Sequence, residues 1–137
     1  MIYAVFDTNV LVSALITHNS ESSTVRVVKA IAEKHIVPLY NEEIVREYYE
    51  VLHREKFGIK GVDSSLLIHL IIQCGIETGR ADCNDFFIDK DDAVFYEVAM
   101  AKEDAYLITG NIKHFPKNPI VVTPAEMLQI LEKTVNL

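Results

Sequence analysis

Three acidic residues, far apart in the chain, have the residue type and local context of metal ligands. Asp7 directly follows the apolar stretch IYAVF, Glu47 lies within NEEIVREYYEVL, and Asp92 lies within DKDDAVFYEVA. Hard divalent cations such as Mg²⁺ and Mn²⁺ prefer oxygen ligands of this kind. A cation held by several carboxylates can activate water and offset the negative charge of a phosphate group. The three acids are therefore candidates for a metal-dependent hydrolytic site.

Each of these acids also has a purely structural interpretation. Asp7 and Asp92 stand next to segments with helical spacing, where an Asp side chain often caps the helix by accepting backbone N–H hydrogen bonds. Glu47 lies at the border of an apolar helix stripe, between Ile44 and Val51, where a glutamate is usually solvated. Both interpretations stay open for each residue alone. The metal hypothesis depends on the three carboxylates lying together.

The segments that position these acids alternate between strand and helix patterns. Strands are predicted at 2–6, 36–40, 105–109 and 119–122, and helices at about 9–16, 23–34, 41–56, 63–74, 92–102 and 123–133. Pro38 suggests that the second strand lies at a sheet edge or bends. This alternation predicts an α/β fold, in which a mainly parallel central sheet is sandwiched between two layers of helices.

Helix starts are predicted from capping residues. Ser23, Asn41 and Asp63 each precede a helical pattern and are expected to cap it. The last helix has a stronger signal, since Thr123 is followed by Pro124 at the first helical position and by Glu126 three residues after the cap.

The ends of two predicted strands bring polar groups to one place. Functional groups of open α/β sheets collect at the carboxyl ends of the strands. Asp7 follows the first strand, and TGN at 109–111 follows the strand that begins at Ala105. A charge at the end of a buried strand is costly unless water, a hydrogen-bond donor or a cation satisfies it. We therefore expect Asp7 to lie beside the TGN segment with its charge satisfied.

Composition limits the classes of protein that remain. The 137 residues, half of them hydrophobic, predict a single domain over 1–137. No apolar run approaches the roughly 20 residues that cross a bilayer, and the N-terminus lacks a signal-peptide pattern, so a cytoplasmic protein is expected. Cys74 and Cys83 are expected to be reduced. The net charge of −7 argues against a general nucleic-acid binder, but it is compatible with a nuclease whose bound metals supply positive charge.

Four segments in this order resemble the PIN domain family, in the branch grouped with VapC-type toxins of toxin–antitoxin pairs. They are FDTNVLVSAL, NEEIVREYYEVL, DKDDAVFYEVAMAKEDAYLITGNIKHF and IVVTPAEML. The resemblance covers nearly the whole chain and leaves 59–85 without a counterpart. It implies a PIN-like fold and a metal-dependent ribonuclease that uses Mg²⁺ or Mn²⁺.

The resemblance also implies the site residues. The metal-binding acids of the family fall on Asp7, Glu47 and Asp92, and a further family Asp falls on Asn111 of this chain. An amide can coordinate through its carbonyl oxygen but carries no charge, so a second metal site is expected to be weaker than the first. Asp89, in the same acidic segment, could compensate for the missing charge but is a lesser candidate, because a solvated loop acid explains it better.

Other polar residues near these motifs are candidates for substrate contacts. The hydroxyl groups of Thr8 and Thr109 are expected to hydrogen-bond a phosphate or a water at the site. Lys113 or His114 is a candidate for contact with the RNA backbone, although both also fit an exposed loop. Asn9 is interpreted as a structural residue that holds the first loop in place.

Three functions remain under consideration. The leading hypothesis is an endoribonuclease toxin that acts on RNA and is inhibited by an antitoxin protein. The alternative is a PIN-like module that binds a metal or a partner but cleaves little or no RNA. A receiver-like phosphoacceptor domain ranks last, because AVFD lacks the acidic pair that such domains place before the end of the first strand. The apolar residues of SLLIHLIIQC and EYYEVL also suggest a homo-oligomer or coverage by an antitoxin segment.

Overall fold

Eleven strands and helices make up the part of the chain that the computed structural model describes, which is residues 1–84, 87 and 89–135. They are β1 (Ile2–Phe6), α1 (Thr8–Ile16), α2 (Ser23–Ala32), β2 (Ile36–Tyr40), α3 (Glu42–Leu52), α4 (Gly61–Cys74), β3 (Ile76–Glu77), α5 (Ala93–Met100), β4 (Tyr106–Ile108), β5 (Val121–Val122) and α6 (Pro124–Val135). Short 3₁₀ turns lie at Glu55–Phe57, Lys90–Asp92 and Ile112–His114. Asp85, which ends the segment left out of the resemblance, and residues 136–137 of the predicted domain lie outside the described residues.

The five strands form one parallel sheet in the order β3-β2-β1-β4-β5. β1 is central and pairs with β2 on one side, where Ile2 lies opposite Ile36, and with β4 on the other, where Ala4 lies opposite Tyr106. Helices flank the sheet and contact strands β1, β2 and β4. The predicted α/β architecture with a parallel central sheet is therefore confirmed.

Continuous apolar strands follow from burial of both faces of this sheet. Ala4, Val5, Leu39 and Leu107 are fully buried. Parallel strands covered by helices on both sides contain apolar residues at successive positions rather than in alternation. This burial explains why β1 and β2 could be located from the sequence to the residue.

Two capping predictions are confirmed by the hydrogen bonds at the helix starts. The Asn41 side chain accepts a hydrogen bond from the backbone N–H of Ile44 at 2.9 Å. At α6, the Glu126 N–H donates to Thr123 Oγ1 at 3.1 Å, and the Thr123 N–H donates to Glu126 Oε1 at 2.9 Å. The reciprocal pair satisfies two backbone donors that a helix start otherwise leaves unpaired.

Two other capping predictions are wrong. α2 is capped by Ser22, whose hydroxyl accepts from the Val25 N–H, and Ser23 is already the first helical residue. α4 begins at Gly61, so Asp63 lies inside its first turn, where an acid still interacts favourably with the helix dipole. In both cases neighbouring polar residues offered more than one starting point, and local sequence did not distinguish between them.

The edge position predicted for β2 is also wrong, because the short strand β3 lies outside it. β3 pairs only with Leu39 and Tyr40, past Pro38, so the missing N–H of the proline does not interrupt that pairing. The chain enters β3 through Gly75, where a Cβ atom would lie 2.4 Å from the Pro38 carbonyl oxygen. Only glycine allows so close a backbone approach. A two-residue exposed strand has too short a pattern to be recognised in sequence.

Within the part of the chain that the structure describes, no helix combines the length and the apolar character that crossing a bilayer requires.

Candidate functional site

Asp7 lies buried at the carboxyl end of β1, 6% exposed, where its side chain is held by neighbouring loops. Thr109 Oγ1 donates to Asp7 Oδ2 at 2.7 Å, and Asn9 Nδ2 donates to the same oxygen at 3.1 Å. The Asp7 N–H donates to the Ile108 carbonyl oxygen at 2.9 Å, which joins the ends of β1 and β4. Asp7 occupies the N-cap position of α1, but within the described residues its side chain makes no capping hydrogen bond. The capping interpretation of this residue is therefore not supported.

Glu47 is half-buried on α3 and faces the end of β1. Thr8 Oγ1 donates to Glu47 Oε2 at 2.5 Å. The next residue, Tyr48, is fully buried, and its hydroxyl donates to the Phe6 carbonyl oxygen at 2.5 Å. These two hydrogen bonds fix α3 against the last residues of β1, so Glu47 is a positioned side chain rather than a freely solvated one.

Asp92 ends the 3₁₀ turn that leads into α5, and one of its oxygens has no hydrogen-bond partner among the described residues. Its Oδ2 atom is buried and accepts no hydrogen bond from the described residues. The closest basic group is His114 Nδ1, 3.7 Å away, which is an ion pair only when the imidazole is protonated. The turn itself is capped by Asp89, whose Oδ1 accepts from the Asp91 N–H at 2.9 Å. Asp92 occupies the N-cap position of α5, but among the described residues its side chain makes no capping hydrogen bond, so its capping interpretation is not supported.

Neighbouring carboxylates lie close enough to Glu47 and Asp92 to change the ionisation of both. Burial raises the pKa of Asp7, because a charged carboxylate is poorly solvated there. Burial also raises the pKa of Glu47, and the charges of Asp7 and Asp92 raise it further. The pKa of Asp92 is raised to about 6, first by burial and then by the Asp7 charge. Asp7, Glu47 and Asp92 therefore share one electrostatic neighbourhood at the sheet edge.

These acids do not form a complete metal cage. Across residues 1–84, 87 and 89–135, no three His, Cys, Asp or Glu side chains are placed so that they could hold a metal ion. The donor set nevertheless fits Mg²⁺ or Mn²⁺, since it consists of carboxylate oxygens, one of them the unpaired buried Oδ2 of Asp92. A cation would satisfy that oxygen and relieve the mutual repulsion. The metal-binding role of these residues stays a prediction.

The TGN segment lies beside Asp7, as its strand position predicted. Thr109 is buried, and its Oγ1 accepts from the Asn111 N–H at 3.0 Å while donating to Asp7. The Gly110 N–H donates to Asn9 Oδ1 at 3.2 Å, so Asn9 links the first loop to this segment. The Asn111 side chain is exposed next to these contacts. The structural role predicted for Asn9 agrees with this arrangement.

Two of the candidate substrate contacts, Thr8 and Thr109, hydrogen-bond to site acids. The Thr8 hydroxyl donates to Glu47 and the Thr109 hydroxyl donates to Asp7, so both residues position site acids. Lys113 is exposed in the 3₁₀ turn that also contains His114. Contact of Thr8, Thr109 or Lys113 with a phosphate stays a prediction.

Sequence reasoning missed two contacts at this site. Tyr48 lies at an apolar position of α3, and nothing in its spacing indicates that its hydroxyl donates to the Phe6 carbonyl oxygen. His114 was considered for RNA contact, but its proximity to Asp92 joins residues from different loops. The sequence offered one signal for this contact: His114 follows the end of a predicted strand by a few positions. Because strand ends meet at one sheet edge, a basic residue there can lie near the site acids.

Comparison with known proteins places the chain in a family. A family model described as PIN domain matches residues 3–113, which is well over half of the chain and includes Asp7, Glu47, Asp92 and Asn111. The chain therefore belongs to the PIN domain family, a family of metal-dependent nucleases. Searches of curated proteins and of solved structures find no significant match.

Proposed function

We propose that this PIN domain is an Mg²⁺- or Mn²⁺-dependent endoribonuclease whose metal is held by Asp7, Glu47 and Asp92. The proposal depends on one observation: three carboxylates gather at the carboxyl edge of the sheet, where burial and then the charges of neighbouring acids raise the pKa values of Glu47 and Asp92. Like charges are costly to gather unless a cation or protons offset them. The nuclease activity of the family supports the same conclusion.

The chemistry follows from the placement of these residues. A bound divalent cation supplies the positive charge that activates water and offsets charge on the scissile phosphate. Thr109 and Asn9 hold the Asp7 carboxylate, and Thr8 holds that of Glu47, so the acids are oriented before substrate arrives. Lys113 is exposed on the loop after β4, where it can meet the phosphate backbone of RNA.

Calorimetry and an RNA assay test the proposal together. Titrating Mn²⁺ into the metal-free protein is expected to show saturable binding, because the site gathers oxygen ligands and unbalanced negative charge. A mixed pool of RNA is expected to be cleaved when Mn²⁺ or Mg²⁺ is present and to stay intact in EDTA. Absence of both metal binding and cleavage would contradict the proposal.

Asn111 favours a second candidate function, a PIN module that binds a metal or a partner without efficient cleavage. Its amide leaves the site one negative charge short of the pattern implied by the resemblance. The same experiment separates the two functions, because tight Mn²⁺ binding with an intact RNA pool would support the module.

We also propose that the protein is the toxin of a toxin–antitoxin pair of the VapC type and that copies of it associate. Support for association comes from the exposed face of α4, where Val62 is 63% and Leu66 is 64% exposed. Apolar groups of this size in contiguous exposure favour a protein interface.

Two measurements test these partners. Light scattering is expected to give more than the mass of one chain, and Leu66→Glu is expected to reduce it to that of a monomer. Ser65→Glu, a neighbouring exposed position, is the control and is expected to keep the wild-type mass.

For the toxin role, expression of the protein is expected to arrest growth, and co-expression of a small protein from a neighbouring reading frame is expected to restore growth.

A further inference from the structure

Arg80 bridges the two helices that lead to Glu47 and Asp92. Its Nη1 lies 2.9 Å from Glu43 Oε2 in the first turn of α3, and its Nε donates to Glu97 Oε1 on α5 at 2.8 Å. Nη2 lies 2.6 Å from the same Glu97 oxygen. The Glu97 side chain is only 14% exposed, whereas that of Arg80 is 36% exposed, so the bridge lies at the surface with its Glu97 end covered. Charge-assisted contacts of this geometry are strong and directional.

The backbone around Arg80 is fixed at two points. The Thr78 N–H donates to the carbonyl oxygen of Tyr40 at the end of β2, at 2.8 Å. The Ala81 N–H donates to the carbonyl oxygen of Glu97, at 2.9 Å. The guanidinium group therefore extends from a short anchored segment and not from a free loop, which is what a bridge between two helices requires.

The bridge lies next to the candidate site. Glu43 is one helical turn before Glu47, so the two side chains share a face of α3. Arg80 and Glu47 both line a groove of about 240 Å³ between α3 and the start of α5. In the core the same two helices meet through Tyr48 and Phe95, whose ring centroids are 6.3 Å apart. Arg80 supplies the matching contact at the surface.

We infer that Arg80 is a positioning residue for the metal site. It holds α3 against α5, offsets the charges of Glu43 and Glu97, and so sets the separation between Glu47 and Asp92. The inference rests on the proposed metal-binding function. Arg80 acts through other residues, since its Nε, Nη1 and Nη2 atoms are all engaged by Glu43 and Glu97.

The test compares Arg80→Gln with a matched control, Arg54→Gln. Arg54, two residues past the end of α3, pairs with Glu50 of that helix at 2.8 Å, so the control removes the same charge from the same region without separating two helices. The Mn²⁺ dissociation constant, measured by calorimetry without RNA, is expected to rise about tenfold or more in Arg80→Gln, as for other residues that orient metal ligands. The control is expected to stay within about twofold of wild type, because this exposed local pair does not join α3 to α5.

A second variant separates bridging from simple charge. Arg80→Lys restores the positive charge but not a planar group that reaches two carboxylates, so Mn²⁺ affinity is expected to remain weakened. Glu43→Gln breaks only the α3 half of the bridge and is expected to weaken Mn²⁺ binding less than Arg80→Gln does. This variant still tests the bridge if Arg80→Gln folds poorly. In RNA cleavage, kcat is expected to fall at saturating substrate while KM stays near the wild-type value.

Three results would overturn the inference. Equal Mn²⁺ affinity in Arg80→Gln and Arg54→Gln would show that the bridge does not position the acids. Unchanged Mn²⁺ affinity with a raised KM would show that Arg80 contacts RNA directly. A wild-type protein that binds no Mn²⁺ would overturn both the proposed function and this inference. Mn²⁺ binding by the wild type is therefore measured before any variant is compared with it.

Discussion

Replacing Asp92 with Asn is expected to reduce RNA cleavage at least about 100-fold while leaving the folded protein at least as stable at neutral pH. Loss of a residue that only orients a metal ligand already costs about 10- to 100-fold, and loss of a charged ligand costs no less. Stability does not fall because the raised pKa of Asp92 shows that its charge is unfavourable in the fold. The amide retains the size of the side chain and removes that charge.

The measurement pairs cleavage rates at saturating Mn²⁺ with urea unfolding of the same samples. Asp63→Asn is the control, because Asp63 is an exposed acid in the first turn of α4, away from the site. Its cleavage rate is expected to equal that of wild type. Asp7→Asn is expected to resemble Asp92→Asn in activity. Wild-type cleavage by either variant would refute a carboxylate-held metal, whereas lost cleavage together with lost folding would point to a structural role.

Much of the fold was predictable because its signals are local. β1 and β2 are continuous apolar stretches, as expected for strands covered on both faces. Their bounds in the structure are the predicted ones, 2–6 and 36–40. The caps at Asn41 and Thr123 were equally predictable from the sequence, since each involves residues only three positions apart. The C-terminal ends of helices were harder to predict. α3 stops at Leu52 rather than near Lys56, where the chain passes into a 3₁₀ turn.

The location of the candidate site was predictable in outline, and its internal contacts were not. Strand ends placed Asp7 beside Thr109. Residue type and local context made Glu47 and Asp92 candidates, and the family resemblance implied the same three acids. The hydrogen bond from Thr8 to Glu47 joins residues 39 positions apart, and no local pattern encodes it. The bridge made by Arg80 lies in the segment for which the resemblance offered no counterpart. Contacts between distant loops depend on how helices pack, which single-sequence patterns do not report.

The metal-free protein is expected to lose stability as the pH rises from about 4 to about 6, and then to level off. The pKa of Asp92 is about 6 in the folded protein against an ordinary value of 3.8. Between these values the folded state keeps a proton that the unfolded state has released. Unfolding then releases a proton, so a higher pH favours the unfolded chain. The raised pKa values of Asp7 and Glu47 act in the same direction.

Asp92 contributes at most about 3 kcal/mol to this loss, at about 1.4 kcal/mol for each pH unit between the two pKa values, and solvent screening of this partly exposed carboxylate lowers the contribution below that limit. Urea unfolding of wild type and Asp92→Asn at several pH values in EDTA isolates it, because other titrating groups affect both proteins alike. The wild type is expected to lose more stability than the variant between pH 4 and 6. Parallel curves would show that Asp92 ionises normally.

Added Mn²⁺ is expected to restore, at neutral pH, the stability that the metal-free protein loses as its site acids ionise. A cation binds the ionised carboxylates and offsets the repulsion that destabilises the metal-free site, and at 100 times the dissociation constant it adds about 2.7 kcal/mol. Asp92→Asn retains two of the three acids and is expected to gain much less at the same Mn²⁺ concentration. Because protons and metal compete for the same oxygens, the gain of the wild type is expected to shrink below pH 6. A gain independent of pH would place the Mn²⁺ away from Asp92.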